Sequence, residues 1–115
     1  MKQYTSNDQT AKLIELGFEK PKNERWVLDV VNESTPSIQN IVKRRDYSIG
    51  ELLSFLPENI AKENEMPSTL NISLLNGEWC VEYADFLGAD FSFSSAGLID
   101  AIFNMIEKLK EKEVI

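Results

Sequence analysis

Leu70-Asn71-Ile72-Ser73-Leu74-Leu75-Asn76-Gly77-Glu78-Trp79-Cys80-Val81-Glu82-Tyr83 is the stretch that decides the fold. Apolar residues alternate with polar ones on both sides of Asn76-Gly77, a dipeptide that accepts positive φ at both central positions of a type I′ turn. A two-residue turn there sets Leu75 opposite Glu78. The cross-strand pairs then become Leu74 with Trp79, Ile72 with Val81 and Leu70 with Tyr83, all on one face. Ser73 with Cys80 and Asn71 with Glu82 fall on the other face, so a slip of one residue would turn the aromatic set into water.

Outward from this hairpin, Asp85 to Asp90 has turn composition, and Phe91 and Phe93 alternate with Ser92 and Ser94 as a third sequential strand. Ser94 or Ser95 is the expected cap of a final helix whose Leu98, Ile99, Ile102, Met105, Ile106 and Leu109 form a wide apolar stripe, long enough to cover the sheet. Lys108, Lys110 and Lys112 suit the negative end of its dipole.

In the first half, Ser6-Asn7-Asp8-Gln9 and Ser48-Ile49-Gly50-Glu51 are both capping boxes and open short helices near 7–16 and 49–56. Gly17 then Phe18 fits a Schellman ending, with Phe18 returning to Leu13. Tyr47 is placed to staple onto Leu52, and Pro57 ends the second helix. Arg25 to Val31 is rich in β-formers and reads as a strand whose place in the sheet stays open. Asn32 to Ser37 reads as a turn. Pro36 is placed to open a helical piece over Ile38 to Arg45, with Ile38, Ile41 and Val42 inside. Pro57 to Glu63 reads as a further turn, and Lys62 to Ser68 as a flexible connection. The expected fold is α+β, a single globular domain over residues 1–115. In it a small antiparallel sheet, hairpin 70–83 plus strand 90–94 and candidate strand 25–31, is covered by the C-terminal helix.

A chain of 115 residues buries roughly two-thirds of its unfolded surface and can fold without metal or disulfide. Histidine is absent and Cys80 is the single cysteine, which removes Ser-His-Asp and Cys-His nucleophilic sites and zinc sites built on His. Neither a G-x-G-x-x-G nor a G-x-x-x-x-G-K-[ST] motif occurs, and no cofactor is expected. Met1 to Thr10 is polar and no long apolar run follows, so a cytoplasmic location and no membrane association are expected.

The net charge of −7 is uneven: Asp46 to Glu107 holds eleven acids against the single base Lys62, so that span alone carries −10. Free nucleic acid is therefore not an expected partner. The acidic surface is read first as a solubilising one.

Individual candidates each have a plainer structural reading. Asp85 and Asp90 bracket a glycine-containing loop and are a conceivable cation pair, but their spacing is not that of an EF-hand loop and suits turn geometry. Glu82 with Asp85 lacks a visible cleft for acid/base work, and Cys80 has no expected cation beside it to hold a thiolate. Lys43-Arg44-Arg45 resembles a nucleic-acid patch but is assigned to the end of a helix, and Trp26 and Trp79 to the core. No catalytic, cofactor or metal residue is assigned.

Taken in order, Tyr47-Ser48-Ile49-Gly50-Glu51-Leu52-Leu53 with Leu56-Pro57, the Leu70 to Ser73 strand, Trp79-Cys80-Val81-Glu82-Tyr83 and the closing Leu98 to Lys112 with Val114-Ile115 resemble small uncharacterised proteins of anaerobic gut bacteria and of their prophages and mobile elements. The resemblance spans most of the chain and rests on structural motifs, so it carries over no functional residue. It implies a bacterial or phage accessory protein. Three functions are expected by elimination: first a non-enzymatic protein–protein interaction domain, with a homodimer through open sheet edges as one form; second an acidic decoy of a nucleic-acid-binding protein; third a carboxylate-based enzyme.

Overall fold

A computed structural model describes residues 3–22, 24–29, 40–62 and 65–115. Its elements in chain order are α1 (Asn7–Glu15), β1 (Glu24–Asp29), β2 (Asn40–Arg45), α2 (Ile49–Ser54), β3 (Asn59–Lys62), β4 (Glu65–Leu75), β5 (Glu78–Asp85), β6 (Gly88–Ser95) and α3 (Leu98–Glu111). The fold is α+β: β1 and β2 form a two-stranded ribbon, and β3-β4-β5-β6 an antiparallel four-stranded sheet on which α3 packs.

Both helix starts follow from their capping boxes. The Gln9 amide donates to Ser6 Oγ at 3.2 Å and the Ser6 amide to Gln9 Oε1 at 3.0 Å; Ser48 and Glu51 make the same reciprocal pair at 3.2 Å each. Helix α1 ends as a Schellman motif: the Phe18 amide donates to Leu13 O and the Gly17 amide to Ile14 O, with Gly17 at φ +96°. Only a residue without Cβ adopts that conformation freely.

The β4–β5 hairpin takes the register set by its turn, from Leu75↔Glu78 through Leu70↔Tyr83 to Thr69↔Ala84. Asn76 at φ 53° and Gly77 at φ 79° form the turn. Val81 and Tyr83 are fully buried with Ile99, Ile102, Met105, Ile106 and Leu109 of α3, and Leu13 of α1, Tyr47 just before α2 and Leu52 of α2 join them. Cover thins toward the turn: Ile72 is 37% and Leu74 55% exposed. Length explains this, because the 14 residues of α3 span about 21 Å whereas the 11 of β4 run about 36 Å.

Four sequence expectations need correction. The helix over Ile38 to Arg45 is, where described, strand β2, paired with β1 in register Trp26↔Lys43 and Arg25↔Arg44. A short run such as Ile38, Ile41, Val42 fits either period, and tertiary pairing chose the strand. The turn at Pro57 to Glu63 contains β3 (Asn59–Lys62), and the flexible connection at Lys62 to Ser68 is, where described, the end of β3 and, from Glu65, the start of β4, where Ser68 is fully buried. The N-cap of α3 is Gly97, while Ser95 Oγ accepts from the Gly97 amide. The strand expected over 25–31 is, where described, β1 over Glu24–Asp29, in the separate ribbon. The expected turn at Asn32 to Ser37 lies outside the described residues.

Candidate functional site

The sheet has two faces of opposite character. One lies under α3. The other carries Thr69, Asn71 and Ser73 of β4, Glu78, Cys80 and Glu82 of β5 and Ser92 and Ser94 of β6, because alternate side chains project from it. A shallow depression of about 410 Å³ there is lined by Ser73, Leu75, Asn76, Glu78, Cys80 and Ser94. Cys80 Sγ stands 3.5 Å from Ser92 Oγ and 4.0 Å from Glu82 Oε2. None of these partners is a cation able to hold a thiolate.

At the two ends of the sheet the apolar side chains come into water. The β4–β5 turn presents Leu74 and Leu75, the latter 72% exposed, and the β5–β6 turn presents Phe86 and Leu87, each 78% exposed. Asp85 Oδ1 accepts from the Leu87 amide at 2.8 Å, so the polar side chain holds the turn while the apolar pair points away. Sequence reasoning passed over Phe86-Leu87, although its signal was legible: a turn between strands is normally filled by Gly, Asn, Asp or Ser, and here the two loop residues are large hydrophobes.

Asp85 Oδ1 serves the turn and Asp90 Oδ2 accepts from Ser68 Oγ. Among the described residues no cluster of three or more potential metal ligands occurs. Glu82 lies on the open face and Asp85 at the turn beyond it.

Trp26 is a correction: it is 66% exposed on the ribbon, with Lys43 Nζ 5.0 Å from its ring centre. Trp79 packs against the core as expected. Lys43-Arg44-Arg45 lies on β2, not at a helix end, and its members divide between the strand's faces. Lys43 and Arg45 pair with Glu24, whose carboxyl the Arg45 guanidinium holds below the usual carboxylate range. Arg44 turns inward.

There Arg44 meets the buried Asp46, whose carboxylate also accepts from Arg25 at 2.9 Å and from Thr10 Oγ1 at 2.6 Å. Thr5 and Thr10 hydroxyls are 2.7 Å apart, the Tyr47 amide donates to Thr5, and the Arg25 guanidinium lies 4.2 Å above the Tyr4 ring. This polar knot ties the ribbon to α1 and to the chain entering α2. Sequence reasoning counted Asp46 only as part of the acidic span.

Of the other acids of that span, four lie on three separate elements. Glu51 caps α2, Asp100 accepts from Gln9 at 2.7 Å, and Glu78 and Glu82 stand on the open face. An array imitating phosphates draws no support from this arrangement. Two phenols are pushed up by burial: Tyr83, which donates to Pro57 O at 2.6 Å, to about 12, and Tyr47, with Glu51 nearby adding to the rise.

Comparison with protein-family models, with curated proteins and with solved structures finds no match. Among the described residues no helix is long and apolar enough to cross a membrane.

Proposed function

We propose that this chain is a non-enzymatic protein-binding module that docks through the apolar turns of its sheet. The observation that carries the reading is the exposure of large hydrophobes at both ends of a sheet whose register is otherwise fixed by burial, Phe86 and Leu87 above all. Two such side chains in a two-residue loop lower solubility without adding to the core, so a partner that desolvates them is the economical account. The resemblance to proteins of gut bacteria and their mobile elements is in keeping with an accessory role of this kind.

The test compares wild type with Phe86→Ser/Leu87→Ser. A protein captured from host lysate by the wild type and identified by mass spectrometry is purified and titrated against both by calorimetry. Binding to the wild type with loss of about tenfold or more in the variant, at unchanged thermal stability, supports the reading. Equal binding to both sinks it.

A further inference from the structure

The four-stranded sheet has two edges, and they are built differently. Strand β3 is four residues long, its register is irregular between Ile60 and Lys62, and it ends in a lysine, features that blunt an edge. Strand β6 is eight residues long. Its irregularity is confined to the start, opposite Tyr83/Ala84, and Phe91 to Ser95 runs regularly along β5 without proline, lysine or arginine.

The type I′ turn settles which amides of that edge have no ladder partner among the described residues. In a two-residue hairpin the residues flanking the loop, Leu75 and Glu78, form a hydrogen-bonded pair, and bonded and non-bonded pairs then alternate. Glu78, Cys80 and Glu82 therefore bond to β4, while Trp79, Val81 and Tyr83 turn their backbone groups to β6. Their partners Ser95, Phe93 and Phe91 are thereby satisfied. Ser92 and Ser94 direct N–H and C=O outward.

We propose that this outer edge of β6 pairs antiparallel with β6 of a second copy of the chain, about a two-fold axis at Phe93. Ser92 then exchanges both backbone bonds with Ser94 of the second copy, and Ser94 with its Ser92, joining the two four-stranded sheets into one. What selects a second copy over an unrelated strand is the helix beside the edge. A groove of about 300 Å³ lies there, lined by Phe93, Asn104, Glu107, Lys108 and Glu111. The axis at Phe93 falls beside this groove, since Phe93 lines it together with the four helix residues. It sets each Glu107 against the second copy's Lys108 and each Asn104 against its Glu111, a self-complementary strip, as an isologous contact requires. The paired Phe93 side chains close the groove below. This contact is separate from the apolar turns and does not depend on what they bind.

Sedimentation equilibrium of the purified chain is expected to show a concentration-dependent dimer, with the Ser92 and Ser94 amides gaining exchange protection as the dimer forms. Ser92→Pro removes an outward N–H in each copy without touching the β5 ladder, and two lost bonds raise the dissociation constant about thirtyfold. Glu107→Lys and Lys108→Glu each weaken the dimer, and the double exchange restores it. This pair of charge variants leaves the strand intact and keeps the test open should the proline disturb folding. Phe86→Ser/Leu87→Ser dimerises like wild type, which separates this contact from the docking turns. A chain still monomeric at about 1 mM, a dimer indifferent to Ser92→Pro and to the single charge variants, or a different protein bound along β6 by a monomeric chain overturns the proposal.

Discussion

Replacing Asp46 by Asn keeps shape and volume yet removes the charge on which two arginines converge. Asp46 is 2% exposed and pairs with Arg25 and Arg44, themselves 30% and 25% exposed. Its two oxygens accept from Thr10 and from both guanidinium groups. In either orientation, the amide of Asp46→Asn would aim an N–H donor at one of those donors, leaving a half-buried cation opposed. Breaking one side of a buried ion pair costs about 3–5 kcal/mol, and the partial exposure of the arginines brings this down to about 2–4 kcal/mol. In a domain of this size that is a fall of about 10–20 °C in Tm. Urea unfolding followed by circular dichroism measures it, read at constant m-value. Because the carboxylate is shielded from water, the loss is expected to persist at about 1 M salt, where exposed pairs are screened. Arg25→Met/Arg44→Met/Asp46→Leu is expected to recover most of the stability, since apolar groups of similar size leave no buried charge unpaired. A loss below about 0.5 kcal/mol for the single variant, the range of neutral surface changes, would refute the assignment of the knot as the tie between ribbon and helices.

Other outcomes follow from the same structure. Helix α3 ends with the Val114 amide on Leu109 O and Glu113 in the left-handed region at φ 57°, so Glu113→Gly is expected to stabilise by about 0.5–1 kcal/mol in the same urea assay; destabilisation would contradict that ending. The Tyr83 phenol, raised to about 12 by burial, keeps its proton in the fold at pH values where the unfolded chain has lost it. Its contribution to stability is therefore complete below about pH 10 and declines from there to 12, visible as late growth of phenolate absorbance; completion of all three tyrosine titrations near pH 10 with the fold intact would contradict it. Ile102→Ala, at a fully buried position under the sheet, is expected to cost about 2–5 kcal/mol. Leu74→Ala, more than half exposed, is expected to cost under about 1 kcal/mol, and the reverse order would show that α3 lies elsewhere on the sheet.

Much of the fold was legible because its signals are local. Ser6 with Gln9, Ser48 with Glu51, Gly17 with Phe18 and Asn76 with Gly77 each act within a few residues, and each forms the predicted hydrogen bond or turn. The apolar stripe of α3 and the alternation of β5 likewise needed only the period of their own segment. The misreadings are where period and partner disagree. Ile38 to Arg45 has a pattern that a helix or a strand can use, and β1 alone decides the matter by pairing with it. Trp26, taken for a core residue, stands exposed on the ribbon, beside Lys43. The candidate docking turn was read as a turn over Asp85 to Asp90, but that Phe86 and Leu87 form its two-residue loop and stand in water is settled by register.

By itself the sequence determined where helices begin, where the central hairpin turns and which side of it is oily, because capping, positive φ and side-chain alternation are short-range physics. Only the tertiary structure decided that β1 and β2 form a ribbon of their own, that Asp46 is buried between two arginines, and that α3 stops short of the sheet's ends. Those outcomes depend on which distant surfaces exclude water from one another, and the length of a helix against the length of a strand settles what is left uncovered.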